Sequence, residues 1–295
     1  MIDLSGLSAF PLTPFDAAGR VDTEALAAGL QPLAEAGVDS IGLLGSTGCY
    51  AYLNREERRR AVEAAAGYLD GRIPLLVGIG ALRTDDALQL ARDAGDAGAT
   101  VGLLAPMSYT QLTADEVYEH FATVARESSL PLCIYDNPGT THFKFTPELV
   151  GRLSNVEGII AVKSPATSAN KPHLDQLRAA TRIGFSLGYS GDWYCAEALL
   201  SGADTWYCVL AGLFPKSCMA IVRAAQQGDT AEVSRINGAL EPVWALFRTH
   251  SSLRVMYAIA KHQGLSWAEP PKPILPLGPS AQKTVVEEIA RLNLS

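Results

Sequence analysis

Lys163 closes a short apolar run, Gly158-Ile159-Ile160-Ala161-Val162, and Ser164-Pro165 follows it. The run has the composition of a strand buried on both faces, and the proline ends the strand pattern. The sequence thus places an amine at the end of a buried strand. A lysine amine is nucleophilic only without its extra proton, and apolar surroundings disfavour the ammonium form, which suits Schiff-base formation with a carbonyl. The iminium then acts as an electron sink and opens aldol, retro-aldol or dehydration chemistry at the adjacent carbon. Each of those steps needs proton transfer. Tyr135, which closes LCIY ahead of DNPGTTH, could supply it through the hydroxyl of Ser46 or Thr47 in the loop GSTG. That loop also offers backbone N–H groups for a substrate carboxylate. Tyr109 follows LLAPMS on a further segment.

Each of these residues also has a plainer use. A strand-end lysine is ordinarily solvated or ion-paired, a tyrosine such as Tyr135 is ordinarily core with a satisfied hydroxyl, and Gly/Ser/Thr clusters mark ordinary turns. Cys49, with no evident histidine partner, reads as a small buried side chain rather than a nucleophile. His142 and His173 read as surface or hydrogen-bonding residues rather than metal ligands. The combination carries the chemistry, and only a fold that gathers it can use it.

Eight apolar runs read as strands: Leu7–Phe10, Ser40–Leu44, Pro74–Ile79, Thr100–Ala105, Leu132–Tyr135, Ile159–Val162, Ile183–Leu187 and Thr205–Val209. Between them lie stretches with helical spacing and start signals. Asn54 with Glu57, and Thr113 with Glu116, have capping-box spacing. Thr146-Pro147 places a cap residue before a proline that a first helical turn accepts. Gly37, Gly98 and Gly202 fall where helix C-caps are expected. Eight strands alternating with helices predict an α/β fold, a closed (β/α)8 TIM barrel. A doubly wound open sheet is the rival, but no GxGxxG follows the first strand. The expected division is a barrel over residues 1–224 and a C-terminal helical extension over 225–295, with a proline-rich interruption at Glu269–Pro279. Catalytic groups of such a barrel come from the C-terminal ends of its strands. Lys163, Tyr135, Ser46, Thr47 and Tyr109 then share one rim.

Composition narrows the partners. The chain has 295 residues, 48% of them hydrophobic, with a net charge of -7. The length supports a large core, and the acidic balance argues against nucleic acid or an anionic membrane as partner. Five cysteines, an odd number with no CxxC pair, suggest neither a disulfide framework nor a zinc site. No signal peptide or membrane span is visible, so a cytoplasmic protein is expected.

The stretches FPLTPFDAAGRVD, LLGSTGCYAYLNREER, LLAPMSY, CIYDNPGTT, IIAVKSPAT and YSGDWYCAEALLSGAD resemble, in this order, the dihydrodipicolinate synthase/N-acetylneuraminate lyase family of class I, Schiff-base-forming enzymes. The resemblance implies that Lys163 forms the Schiff base with a 2-oxo acid, typically pyruvate, and that Tyr135 transfers protons. It implies a relay and carboxylate-holding role for Ser46 and Thr47. Tyr109 resembles, with spacing one residue off, a second relay tyrosine supplied by a neighbouring subunit. Gly191 falls at a pocket-lining position, and a second such position falls at Tyr207 or at Cys208, depending on register. A homotetramer without a cofactor or metal is implied. Three positions depart from the family pattern: Cys49 replaces an acidic residue after the GxTG loop, Thr140 stands where synthases carry a substrate-binding arginine, and Trp193 replaces the second of two acids that follow Gly191 in sialic-acid lyases.

The resulting expectation is a lyase or aldolase acting on a 2-oxo acid and an aldehyde through Lys163. The alternatives are 4-hydroxy-tetrahydrodipicolinate synthase proper, a 2-keto-3-deoxy sugar acid dehydratase, and a non-catalytic 2-oxo acid-binding protein. A metal-dependent aldolase is disfavoured by the lack of a His/Asp/Glu cluster with ligand spacing.

Overall fold

The computed structural model describes residues 2–265, 269–292 and 294–295. Its strands are β1 (Gly6–Ala9), β2 (Ser40–Leu43), β3 (Leu75–Gly78), β4 (Val101–Leu104), β5 (Leu132–Tyr135), β6 (Ile159–Pro165), β7 (Ser186–Ser190) and β8 (Thr205–Cys208). They pair in parallel in chain order, and β8 returns to β1 to close the barrel. The helices after them are α1 (Thr23–Ala36), α2 (Arg55–Leu69), α3 (Thr84–Asp96), α4 (Ala114–Ser128), the short α5 (Pro138–Thr141) with α6 (Pro147–Ser154), α7 (Asn170–Ala180), α8 (Cys195–Leu200) and α9 (Pro215–Gln226). Then come α10 (Thr230–Ala239), α11 (Glu241–His250), α12 (Ser252–His262) and α13 (Pro279–Arg291). No described helix is long and apolar enough to cross a membrane.

Alternation along the strands separates two cores. Leu76, Val101, Leu103, Cys133, Ala161 and Tyr207 pack together inside the barrel, while neighbours such as Val77, Ile134, Val162 and Trp206 pack between strands and helices. Both faces are therefore apolar, as the continuous hydrophobic runs require. Burying one such leucine or valine contributes roughly 1.5–3 kcal/mol.

The cap signals translate into contacts. Thr113 and Glu116 form a reciprocal capping box, and Thr146 accepts from the Leu149 N–H. Asn54 caps α2 by accepting from the Glu57 N–H, but the Glu57 carboxylate turns instead to the Val21 N–H. Gly37 caps α1 in the left-handed conformation at φ 69°, whereas Gly98 and Gly202 lie one residue beyond the caps Ala97 and Ser201.

Two strands differ from the sequence reading. β6 does not stop before the lysine: it runs through Pro165, so Lys163 lies within the strand. β7 begins three residues later than Ile183, at Ser186, and extends to Ser190. The two differences have one cause. The added β6 residues pair with β7 as Lys163↔Gly188, Ser164↔Tyr189 and Pro165↔Ser190, so the register carries both strands further toward the barrel rim. Ile183 is left fully exposed ahead of the turn at Gly184. A residue with that β propensity looked like strand, but cross-strand packing decides strand position, not propensity.

Candidate active site

Strand register brings the central pair together. Tyr135 is the last residue of β5 and pairs directly with Lys163 of β6. Residues opposite one another in parallel strands point to the same face, here the barrel interior. Both side chains are buried, at 5% and 4% exposure. Lys163 Nζ lies 4.0 Å from the Tyr135 ring centroid and 4.4 Å from that of Phe10. Among the described residues no carboxylate comes within ion-pair distance of it. On its other side Gly188 has no side chain, and an added Cβ there would come within 2.4 Å of the Tyr207 ring.

The Phe10 floor is built by glycines. A Cβ on Gly42 would sit 2.2 Å from the Phe10 ring and one on Gly45 2.7 Å, so β2 and the first residue of the GSTG loop pack directly against that ring. Leu44 and Cys49, at φ 55° and 57°, take left-handed backbone on either side of the loop. That conformation is costly for residues with a Cβ and persists only when packing holds it. The holding contacts are visible: the Thr13 hydroxyl donates to the Gly48 carbonyl at 2.7 Å, and Cys49 Sγ lies 3.7 Å from the hydroxyl of Tyr257 on α12. Tyr257 in turn donates to the Thr13 carbonyl. The loop is therefore braced from the C-terminal helices, with Cys49 as part of the brace. Burial pushes the Cys49 thiol up to about 11, which removes it as a nucleophile at neutral pH.

The loop delivers its hydroxyl to the tyrosine. Ser46 Oγ and Tyr135 Oη are 2.7 Å apart, and Asn137 Nδ2 donates to both, at 3.3 and 3.2 Å. Phenol, hydroxyl and amide thus form a closed triangle, its phenol carried on the ring that faces the lysine. The sequence reading did not single out Asn137. Its signal was present in the DNP turn after Tyr135, where an amide two residues beyond the strand end can fold back onto the strand's last side chain.

Outward from this triangle opens a cavity of about 440 Å³. Ser46, Thr47 and Asn137 belong to its wall, together with Thr140 and Thr141 of α5, Met107, Tyr52, and Ser251, Ser252 and Leu253 at the start of α12. Thr47 is 4% exposed, while Thr140 is exposed and donates to the Asn137 carbonyl at 3.2 Å. The α12 residues lie about 200 positions from the GSTG loop, and nothing local in the sequence pointed to them.

The remaining expected residues fall elsewhere. Tyr109 is fully exposed on the single chain. Gly191 follows β7 on the same rim, at φ 89°. Tyr207 faces the barrel interior, edge-on to Phe10 with its hydroxyl 3.5 Å from Cys133 Sγ. Cys208 alternates to the opposite face, where Sγ lies 3.6 Å from the Asp192 carboxylate and 3.5 Å from Cys218 Sγ. Between the two register choices, Tyr207 is therefore the inward one, and Cys208 points away from the cleft. Asp192 is turned the same way. Its carboxylate accepts from Trp206 Nε1 and the Val209 and Leu210 N–H groups, and burial raises its pKa despite those donors. His142 caps α5, and His173 Nδ1 lies 2.9 Å from the Tyr189 hydroxyl.

One further group stands out beside the pair. Asp136 follows Tyr135, its N–H donates to the Lys163 carbonyl, and its buried Oδ1 has no hydrogen-bond partner among the described residues. Burial pushes its acid up to about 7, opposed by the Phe145 amide and Lys144.

The arrangement can do imine chemistry: a buried amine without a carboxylate partner, a phenol over it, and a hydroxyl and an amide fixed to that phenol. Comparison with known proteins shows what the chain is similar to. A family model described as "Dihydrodipicolinate synthetase family" matches residues 3–292. The 4-hydroxy-tetrahydrodipicolinate synthase of Alcanivorax borkumensis is 32% identical over 285 residues, 96% of each chain. The crystal structure of a dihydrodipicolinate synthase from Agrobacterium tumefaciens superposes with TM-score 0.96 at 51% identity over 98% of each chain. That of Aquifex aeolicus does so with TM-score 0.92 at 27% identity over 99% of each.

Proposed function

The chain belongs to the dihydrodipicolinate synthetase family, and from that premise we propose that it is a Schiff-base-forming lyase joining or cleaving a 2-oxo acid of the pyruvate type and an aldehyde. The observation that carries this reading is Lys163 beneath Tyr135, buried and free of a carboxylate partner. In the synthetic direction the Lys163 amine adds to the keto carbon. The resulting carbinolamine takes a proton on its hydroxyl and loses water, leaving the iminium. C3 then gives up a proton, and its electron pair moves into the new double bond of a neutral enamine. The enamine carbon attacks the aldehyde carbon, the aldehyde oxygen takes a proton, and water hydrolyses the iminium to free the amine. Tyr135 is the proton carrier, with Ser46 as the adjoining relay. Thr47 and the loop amides hold the 2-oxo acid's carboxylate, and Gly191 and Tyr207 bound the pocket.

No cofactor enters this scheme. The enzyme is a cytoplasmic homotetramer in this reading, and the full exposure of Tyr109 supports its reaching a neighbouring subunit's site. Intact-mass analysis after incubation with pyruvate and borohydride tests the function. One reduced pyruvate adduct per chain is expected, and no adduct with pyruvate or any other 2-oxo acid overturns it.

A second reading is supported by the relatives' names: the aldehyde is aspartate semialdehyde and the enzyme is the synthase proper. Turnover of aspartate semialdehyde with pyruvate at a rate matching such a synthase is its test.

A further inference from the structure

Resting on the Schiff-base reading above, we infer that the acceptor is an uncharged, hydroxyl-bearing aldehyde rather than one carrying a carboxylate or phosphate. The cavity beyond Ser46 and Asn137 has no charged side chain among its described lining residues. Its polar groups are hydroxyls and one amide: Thr140 and Thr141 on one side, Ser251 and Ser252 on the other, and Asn137 at the inner end. Met107, Leu253 and Ile274 supply apolar wall between them.

The charge balance of the reaction sharpens the point. While the iminium stands, its positive nitrogen offsets the donor's carboxylate. Loss of the C3 proton makes the nitrogen neutral, so at the moment of attack the donor carboxylate is the site's net charge. A second anion on the acceptor would then enter the cleft against a like charge, with no side-chain cation among the described lining residues to meet it. The first amides of α12 lack intrahelical partners, but they offer at most half a charge at the helix end. Hydroxyls and amides of this kind satisfy hydroxyl groups of a substrate without any ion pair.

Purified enzyme is incubated with pyruvate and, separately, glyceraldehyde, glyceraldehyde 3-phosphate or succinic semialdehyde, and condensation is read as the mass of the borohydride-trapped product on Lys163. Glyceraldehyde is expected to condense at least about tenfold faster than either anionic aldehyde, the scale set by leaving a charge unpaired in a polar site. Thr140→Arg, which places a cation on the exposed wall, is expected to move that ratio about tenfold toward the anionic aldehydes. Equal or faster condensation of an anionic aldehyde overturns the inference, as does condensation of none of the three. Pyruvate alone separates the two claims: no adduct defeats the Schiff-base reading itself, whereas an adduct with anionic preference defeats only the acceptor class.

Discussion

Replacing Asp192 by alanine removes an acceptor shared by Trp206 Nε1 at 3.1 Å, Val209 N at 3.0 Å, Leu210 N at 2.9 Å and Cys208 Sγ at 3.6 Å. An acid directly after Gly191 invites a substrate-binding role, yet this one is 2% exposed and ties the end of β8 to the turn after β7. Each buried N–H left without a partner costs about 1–3 kcal/mol. Three such donors are partly offset, because removing the carboxylate also removes its own burial penalty, the cause of its raised pKa. The net destabilisation is then about 3–5 kcal/mol, the lower part of what three unpaired donors would cost. For a chain of this size that lowers the melting temperature by roughly 10 °C. Asp192→Asn, which keeps one carbonyl oxygen, should lose about 1–2 kcal/mol. Thermal melts and urea midpoints, taken with the rate of pyruvate adduct formation on protein still folded, decide the matter. Melting within about 2 °C of the parent combined with a raised KM for the acceptor would place Asp192 at the substrate and refute the reasoning.

Asp136 gives a pH signature. Its acid is raised from 3.8 to about 7, so between those values the folded state holds a proton that the unfolded state has lost. Stability from this group is therefore greatest below about pH 4, falls as pH rises toward 7 and is flat above, by up to about 4 kcal/mol. Asp136→Asn should remove that slope, and urea unfolding from pH 4 to 8 showing the same slope in both proteins would exclude it. Tyr135→Phe should lower kcat by about 10²–10⁴-fold with a melting temperature near the parent's; a loss under tenfold would move the proton carrier elsewhere. Asn137→Ala should reduce kcat about tenfold and shift the pH profile of kcat, since the amide donates to both Ser46 and Tyr135; an unchanged profile would make Asn137 purely structural. Cys49, buried with its thiol pushed up to about 11, should resist iodoacetamide at pH 8 in the native state, and rapid labelling would mean that the GSTG loop opens.

Residue type and order were enough to foresee the barrel and the lysine–tyrosine pair, because runs such as LCIY and GIIAV are apolar without alternation and the parallel arrangement fixes which strand ends share a rim. The position of β7 was not foreseeable in that way. Ile183 has strand propensity, but the register is set by what β6 offers from Lys163 to Pro165, which no local pattern records. The same holds for the cavity's outer wall. Ser251 and Ser252 look like an ordinary helix start, and only the packing of α12 through Tyr257 onto the Thr13–Cys49 brace makes them part of the site. Asp192 shows the converse: although an acid beside Gly191 in sequence, it spends its carboxylate on Trp206 and the turn after β8.

The central claim is that the amine at position 163 is the one that takes the keto carbon. Peptide mapping after borohydride reduction with isotopically labelled pyruvate tests it most directly, because Lys144 and Lys171 lie close in sequence as internal controls. The account predicts label on the peptide containing Lys163 alone and no label in Lys163→Ala. Label on another lysine, or equal labelling of the Lys163→Ala variant, would contradict it.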